Sequence, residues 1–191
     1  MTVKILAFAG STRTASFNKK LVKVAAEGAR MAGATVTFLD LRDLPLPLFD
    51  EDLEAHEGLP DNAKKLKTLF IDHHGLLIAS PEYNSSITAV LKNAIDWASR
   101  PAPGEAPLAC FDGKVASIMS ASPGALGGLR GLVHLRSLLG NIKVIVMPGQ
   151  IAVPKAHEAF DANGLIVDPD RHASVEKLGE NLAHILTKLH S

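Results

Sequence analysis

Cysteine is nearly absent from this chain. Cys110 is the only one in 191 residues, so no disulfide can close within the chain and no cysteine-based zinc cluster can assemble. A lone thiol fits a reducing compartment, and the cytoplasm is the expected location. Net charge is absent as well, with 20 lysines and arginines against 20 aspartates and glutamates. A balanced chain has no global field to gather nucleic acid or an anionic membrane surface, so neither partner is expected. No apolar run approaches the length that spans a bilayer, and the run from Val3 to Ala9 is too short for a signal peptide.

Several chemical signatures are missing too. Without G-x-G-x-x-G, a dinucleotide pyrophosphate is not the expected ligand; without G-x-x-x-x-G-K-[ST], nucleoside triphosphate binding is disfavoured. The lack of G-x-S-x-G argues against a serine hydrolase of that type. The eight histidines show neither H-x-x-x-H nor Cys/His spacing, so no metal is expected. His73 and His74 are adjacent and His134 stands alone; His184 and His190 read as solvent-facing or as charges complementing a helix C-terminus. Cys110 precedes Phe111-Asp112-Gly113 without an arginine or histidine beside it, and is assigned no chemistry.

What is present is enough apolar residue, 47%, to bury one substantial core, and residues 1–191 are expected to form a single domain. Short apolar runs alternate with longer segments of helical period, the pattern of an α/β fold. Strands are expected at Val3–Ala9, Thr35–Leu41, Leu76–Ser80, Val115–Ser120 and Lys143–Met147, the second of them near an edge. Helices are expected from Phe17, from Pro60 with Gly75 as its stop, over Ile87–Ala98, over Leu129–Leu139 ended by Gly140, and over the apolar stripe Val175–Leu189. The prolines at 45 and 47 make Leu44–Phe49 an extended loop exposing Leu46, Leu48 and Phe49, a surface suited to a second subunit. Five strands with helices between them imply a doubly wound parallel sheet, with ligands bound beyond the carboxyl ends of the strands.

Three strand-end loops therefore matter. The first runs from Gly10 through Ser11, Arg13, Ser16 and Phe17 to Asn18 and meets a helix start, where unpaired N–H groups and the helix dipole favour an anion. Ser11, Ser16 and Asn18 offer neutral donors and Arg13 a planar cation, a set suited to a monophosphate, although Ser16 equally suits a helix cap. The second, Pro81-Glu82-Tyr83-Asn84, is stiff enough to present backbone groups and an aromatic face to a flat heteroaromatic ligand; Glu82 equally suits a helix N-terminal charge. The third, Ser120-Ala121-Ser122-Pro123-Gly124-Ala125-Leu126-Gly127-Gly128, allows close backbone approach, and its three leading residues compete for the same contacts.

Together these motifs resemble those of the NADPH-dependent FMN reductase family, which includes soluble quinone, chromate and azo reductases. G-S-x-R-x-x-S-x-N stands at Gly10, Ser11, Arg13, Ser16 and Asn18, P-E-Y-N at Pro81 to Asn84, and Leu91-Lys92-Asn93-Ala94-Ile95-Asp96-Trp97 follows. The resemblance implies a flavodoxin-like three-layer sandwich, FMN phosphate on the first loop and the flavin ring beside the other two. It also implies NADPH or NADH as co-substrate, a small acceptor, and a homodimer or homotetramer. A flavin carries the redox chemistry itself, so no catalytic side chain is required. Turnover is expected by a ping-pong mechanism, donor and acceptor taking one flavin face in turn. Arg100 could meet the donor's phosphate, although an exposed arginine is more often solvated. Two other classes share the motifs: an FMN-binding electron carrier and a non-catalytic flavin-binding module, neither with a nicotinamide site.

Overall fold

The computed structural model describes residues 1–191. Five parallel strands, β1 (Lys4–Ala9), β2 (Thr35–Leu39), β3 (Gly75–Ala79), β4 (Val115–Ala121) and β5 (Ile145–Val153), lie in the order β2-β1-β3-β4-β5. Seven helices accompany them: α1 (Phe17–Met31), α2 (Glu51–Glu57), α3 (Asp61–Asp72), α4 (Ala89–Ser99), α5 (Leu129–Asn141), α6 (Ala156–Ala159) and α7 (Pro169–Leu189). The flavodoxin-like order and the three layers match the expected fold class.

Alternation along the buried strands feeds two cores. Ile5, Ala7, Leu77 and Met119 face α1 and α7, while Leu6, Phe8, Leu76 and Ile118 face α3, α4 and α5. The first side is lined with alanines, so α1 can sit low on the sheet. Its packing on α7 is closer still, because a Cβ at Gly28 would overlap the Glu176 carbonyl and one at Gly179 the Ala25 carbonyl. Both glycines are therefore required by helix contact, against the preference for alanine in helices.

Some boundaries differ from those expected. β2 stops at Leu39 because Asp40 accepts the Arg42 N–H at 3.0 Å and caps a short 3-10 turn, Leu41–Asp43. Pro60 is the N-cap of α3 rather than its first residue. Gly75 does not stop that helix. It opens β3, where the Leu186 side chain occupies the space a Cβ would need. Gly140 lies within α5, and β5 extends past Pro148 through a bulge. The short helices α2 and α6 carried too little periodicity to be foreseen.

The loop Leu44–Phe49 is extended, but it does not expose a contiguous apolar surface. Leu44 and Leu46 pack on the core below, and Phe49 meets Trp97 edge-on at 5.0 Å. The Pro47 carbonyl accepts from Asn93 Nδ2 and Trp97 Nε1, each at 2.8 Å, so the loop is clamped to α4, and of Leu46, Leu48 and Phe49 only Leu48 remains exposed. Arg100 is likewise committed, donating to Glu54 at 2.9 Å and lying over the Phe49 ring. No helix is long and apolar enough to cross a membrane.

His190 does not stand free on the final helix, since its ring lies 4.5 Å from that of His74. His74 Nδ1 accepts the Lys4 N–H at 2.9 Å and so must be unprotonated. Burial first, then the neighbouring His190, Lys114, Lys4 and His73, hold its pKa below 6.5. A histidine with a depressed folded pKa stabilises the fold above its unfolded pKa and loses that contribution as pH falls below it. The melting temperature should therefore drop between pH 7 and pH 5.5, and His74→Asn, which retains an acceptor without a proton to gain, should flatten that drop in a pH series of thermal melts.

Candidate functional site

All five strands point their carboxyl ends at one edge of the sheet. Connections leave β1 toward β2 on one side while β3 lies on the other, so the loops after β1 and β3 diverge and leave a crevice. Gly10 turns the chain there, and Thr88 Oγ1 donates to its carbonyl at 2.7 Å. A side chain at Gly10 would collide with Leu91 at 2.8 Å, so that residue fixes how closely α4 approaches the loop.

The first loop is braced from outside. Arg42 donates to the Thr12 carbonyl at 2.8 Å and to Thr14 Oγ1 at 2.7 Å. Lys19 pairs with Asp40 at 2.6 Å, and Asp40 pins the Arg42 backbone. The carboxyl of Asp40 is raised by burial, but Lys19 and the Arg42 N–H prevail and hold it below its ordinary pKa. Ser16 caps α1, accepting the Lys19 N–H at 3.4 Å, and Ser11 accepts the Arg13 N–H at 3.3 Å. The N–H groups of Phe17 and Asn18, in the first turn, have no helical partner and face the crevice. Beside them the Arg13 guanidinium makes no ion pair; it lies 5.8 Å from the Phe17 ring, which itself stacks on Phe160.

Asn18 has a different role from the expected free donor. Its Nδ2 donates to the Ala121 carbonyl at 2.8 Å and its Oδ1 accepts the Ala121 N–H at 2.9 Å. That paired contact fastens the start of α1 to the end of β4, so the side chain holds two walls together instead of reaching for a ligand.

In the second loop Asn84 and Ser85 both adopt positive φ, at 50° and 66°, and Tyr83 and Ser86 exchange backbone hydrogen bonds of 2.9 and 3.0 Å. This tight turn presents Tyr83 to solvent, 63% exposed, and carries Asn84 away from the crevice. Glu82 is a helix N-terminal charge, but for α5 rather than for the segment that follows it. Its carboxylate accepts from Arg130 at 2.9 and 3.0 Å and from the Gly131 N–H at 3.0 Å. Burial acts to raise its pKa, and the Gly131 N–H and Arg130 outweigh it, leaving the carboxyl below its ordinary range.

In the third loop Ser122 lines the crevice, while Ser120 and Gly124 do not. Ser120 alternates with Ala121 at the end of β4, and its buried hydroxyl lies against Gly128 with no hydrogen-bond partner. Of the three leading residues, Ala121 and Ser122 line the groove.

Ser11, Arg13, Ser16, Phe17, Asn18, Pro81, Glu82, Tyr83 and Ser122 meet around one shallow groove of about 110 Å³. That volume suits a phosphate group inside, with any larger ligand body lying across the outer surface. A larger cavity, about 540 Å³, runs beside α1, but it lacks the convergent strand-end donors. The groove's free donors are unpaired N–H groups and one unpaired guanidinium, groups whose chemistry suits a phosphate monoester. No acid–base pair or activated nucleophile stands in it, since its one carboxylate is held by Arg130. Sequence reading missed the braces. Thr88 had a signal, standing directly before an apolar helical period, whereas Arg42 had none because its partners lie 28 and 30 residues away.

Comparison with known proteins points to the same chemistry. Residues 3–158 match the family model of NADPH-dependent FMN reductase. An NAD(P)H-dependent FMN reductase of Pseudomonas aeruginosa is 36% identical over 167 residues, covering 87% of this chain and 85% of that protein. A 2-hydroxy-1,4-benzoquinone reductase of a Burkholderia species is 37% identical, covering 89% and 88%. Among solved structures, the NAD(P)H:(acceptor) oxidoreductase FerB of Paracoccus denitrificans superposes with a TM-score of 0.81 at 28% identity, covering 98% of each chain. By the family match and these relatives, the chain belongs to the NADPH-dependent FMN reductase family and is an oxidoreductase whose cofactor is FMN and whose reductant is NAD(P)H.

Proposed function

We propose that this chain, acting as one unit from residue 1 to 191, reduces a small acceptor, a quinone before others, by a ping-pong mechanism in the strand-end groove. The observation that carries this is the unpaired Arg13 guanidinium beside the free N–H groups of α1. A cation left without an internal partner next to unsatisfied donors suits a phosphate dianion, and FMN is the family's ligand with one terminal phosphate. Ser11, Arg13, Ser16 and the N–H groups of Phe17 and Asn18 would hold that phosphate. Pro81, Glu82 backbone, Tyr83 and Ser122 would border the ring.

When bound, FMN supplies hydride and electron transfer. The chain's own residues bind, orient and shield. Arg42 and Thr88 fix the first loop, and the Glu82 contacts to Arg130 and Gly131 hold the second against α5, so the groove is organised before ligand arrives. The quinone reductase from Burkholderia supports the acceptor class. Arg100 is paired with Glu54, which weighs against its use for the donor's phosphate. A reducing cytoplasm suits the buried free thiol of Cys110.

The same reading includes a homo-oligomer, now on a different surface. Leu126, Leu129 and Val133 stand exposed along one side of α5 and its approach, next to Tyr83. Apolar residues at that spacing beside the groove suit a second copy that helps wall it. Val133→Asp should shift sedimentation toward monomer and lower activity; a wild-type chain that is monomeric and fully active at low micromolar concentration would defeat the oligomer.

Arg13→Ala should weaken FMN about tenfold to a hundredfold, the loss of one charge-assisted contact, about 1.5 to 3 kcal/mol. Arg42→Ala should weaken it less, through a looser loop. Riboflavin, lacking the phosphate, should bind weakly and equally to wild type and Arg13→Ala; an unchanged FMN affinity in that variant removes Arg13 from the site.

For turnover, double-reciprocal plots at several quinone concentrations should be parallel, with excess quinone competing against NADPH. Anaerobic stopped-flow mixing with NADPH alone should bleach the flavin at least as fast as steady-state turnover. Intersecting plots would show separate donor and acceptor sites, and failure to bleach would favour an electron carrier.

A further inference from the structure

β4 and β5 come apart in mid-sheet. Ala116 pairs with Val146 and Ile118 with Gln150, so Ser117 has no partner on β5, while Met147, Pro148 and Gly149 bulge outward. The bulge is held in place by Arg136, which donates to the Met147 carbonyl and to Gln150 Oε1, each at 2.9 Å. The opening so fixed continues into a cavity of about 520 Å³ between β5 and α7.

Two features of this cavity point to a ligand. Ser117 is only 1% exposed and lines it, yet its hydroxyl takes part in no hydrogen bond of the chain. The hydroxyl opens on the cavity and is left to be completed by whatever occupies it. Around it, Met147, Ile151 and Ile185 supply apolar wall, no carboxylate lines the space, and Lys188 stands at the rim without an ion pair. We propose that this cavity binds a small amphiphilic organic acid, an apolar body with a carboxylate met by Lys188 and a second oxygen met by Ser117. Ser117 lies five residues before Ser122, so the cavity is roughly 16 Å down the sheet from the groove, and the inference is independent of where FMN binds.

The test is calorimetric titration of the protein as purified with 6-hydroxy-2-naphthoate, and with 2-naphthol as a probe lacking the carboxylate. One site per chain is expected. Lys188→Ala should weaken the naphthoate threefold or more and leave 2-naphthol unchanged. Ser117→Ala should weaken both probes while keeping or raising the melting temperature, a combination that a packing role would not produce. Asn181→Trp, an exposed substitution on the cavity wall, should abolish binding of both without altering FMN content or reductase rate. Absence of saturable binding, or binding that survives Asn181→Trp and disappears on Tyr83→Ala, would overturn the proposal.

Discussion

The paired contact between the Asn18 side chain and the Ala121 backbone is the constraint on which the site depends. Asn18 stands in the first turn of α1 and Ala121 at the last position of β4, so two hydrogen bonds of 2.8 and 2.9 Å set the separation of the first and third loops. Both bonds are buried. Each is worth about 1 kcal/mol net, but losing one partner leaves a desolvated amide or peptide group, which costs more than the bond returned. The contact is therefore either fully made or strongly penalised, and the groove width inherits that sharpness.

Around this pair the polar groups divide into those that are occupied and those left open. Glu82 is taken by Arg130 and Gly131, Lys19 by Asp40, Arg42 by Thr12 and Thr14, and Arg100 by Glu54. What remains free at the strand ends is nearly all donor: the N–H groups of Phe17 and Asn18, and Arg13. The proposed preference for a phosphate rests on this division rather than on any net charge, since the chain as a whole is neutral. A family whose chemistry resides in a bound flavin needs such rigidity more than it needs titrating side chains.

The apolar surfaces show a similar displacement between composition and use. Leu46 and Phe49 look exposed in a proline-rich stretch, yet Pro47 is gripped by Asn93 and Trp97 and draws them inward. Leu129 and Val133, on α5, are the exposed ones instead, where local sequence reads as an ordinary amphipathic helix. For Leu46 and Phe49 burial is decided by neighbours distant in sequence.

The sequence by itself determined the five strands, the order of strand and helix, the three permissive loops and the motifs within them. Those features are local: β-branched and apolar runs, helical periods, and Gly10 at the end of an apolar run. It also offered Ser16 as a cap beside its reading as a phosphate donor, because capping involves residues three apart. Only the tertiary structure decided that Asn18 serves Ala121, that Glu82 serves α5, that Ser120 faces away while Ser122 faces in, and that Arg42 holds the first loop. The Asn18, Glu82 and Arg42 contacts join residues 28 to 103 positions apart, and Ser122 lies beyond the end of β4, where strand alternation no longer fixes side-chain direction. Local propensity has no term for such pairings, whereas a folded chain must satisfy every one of them at once.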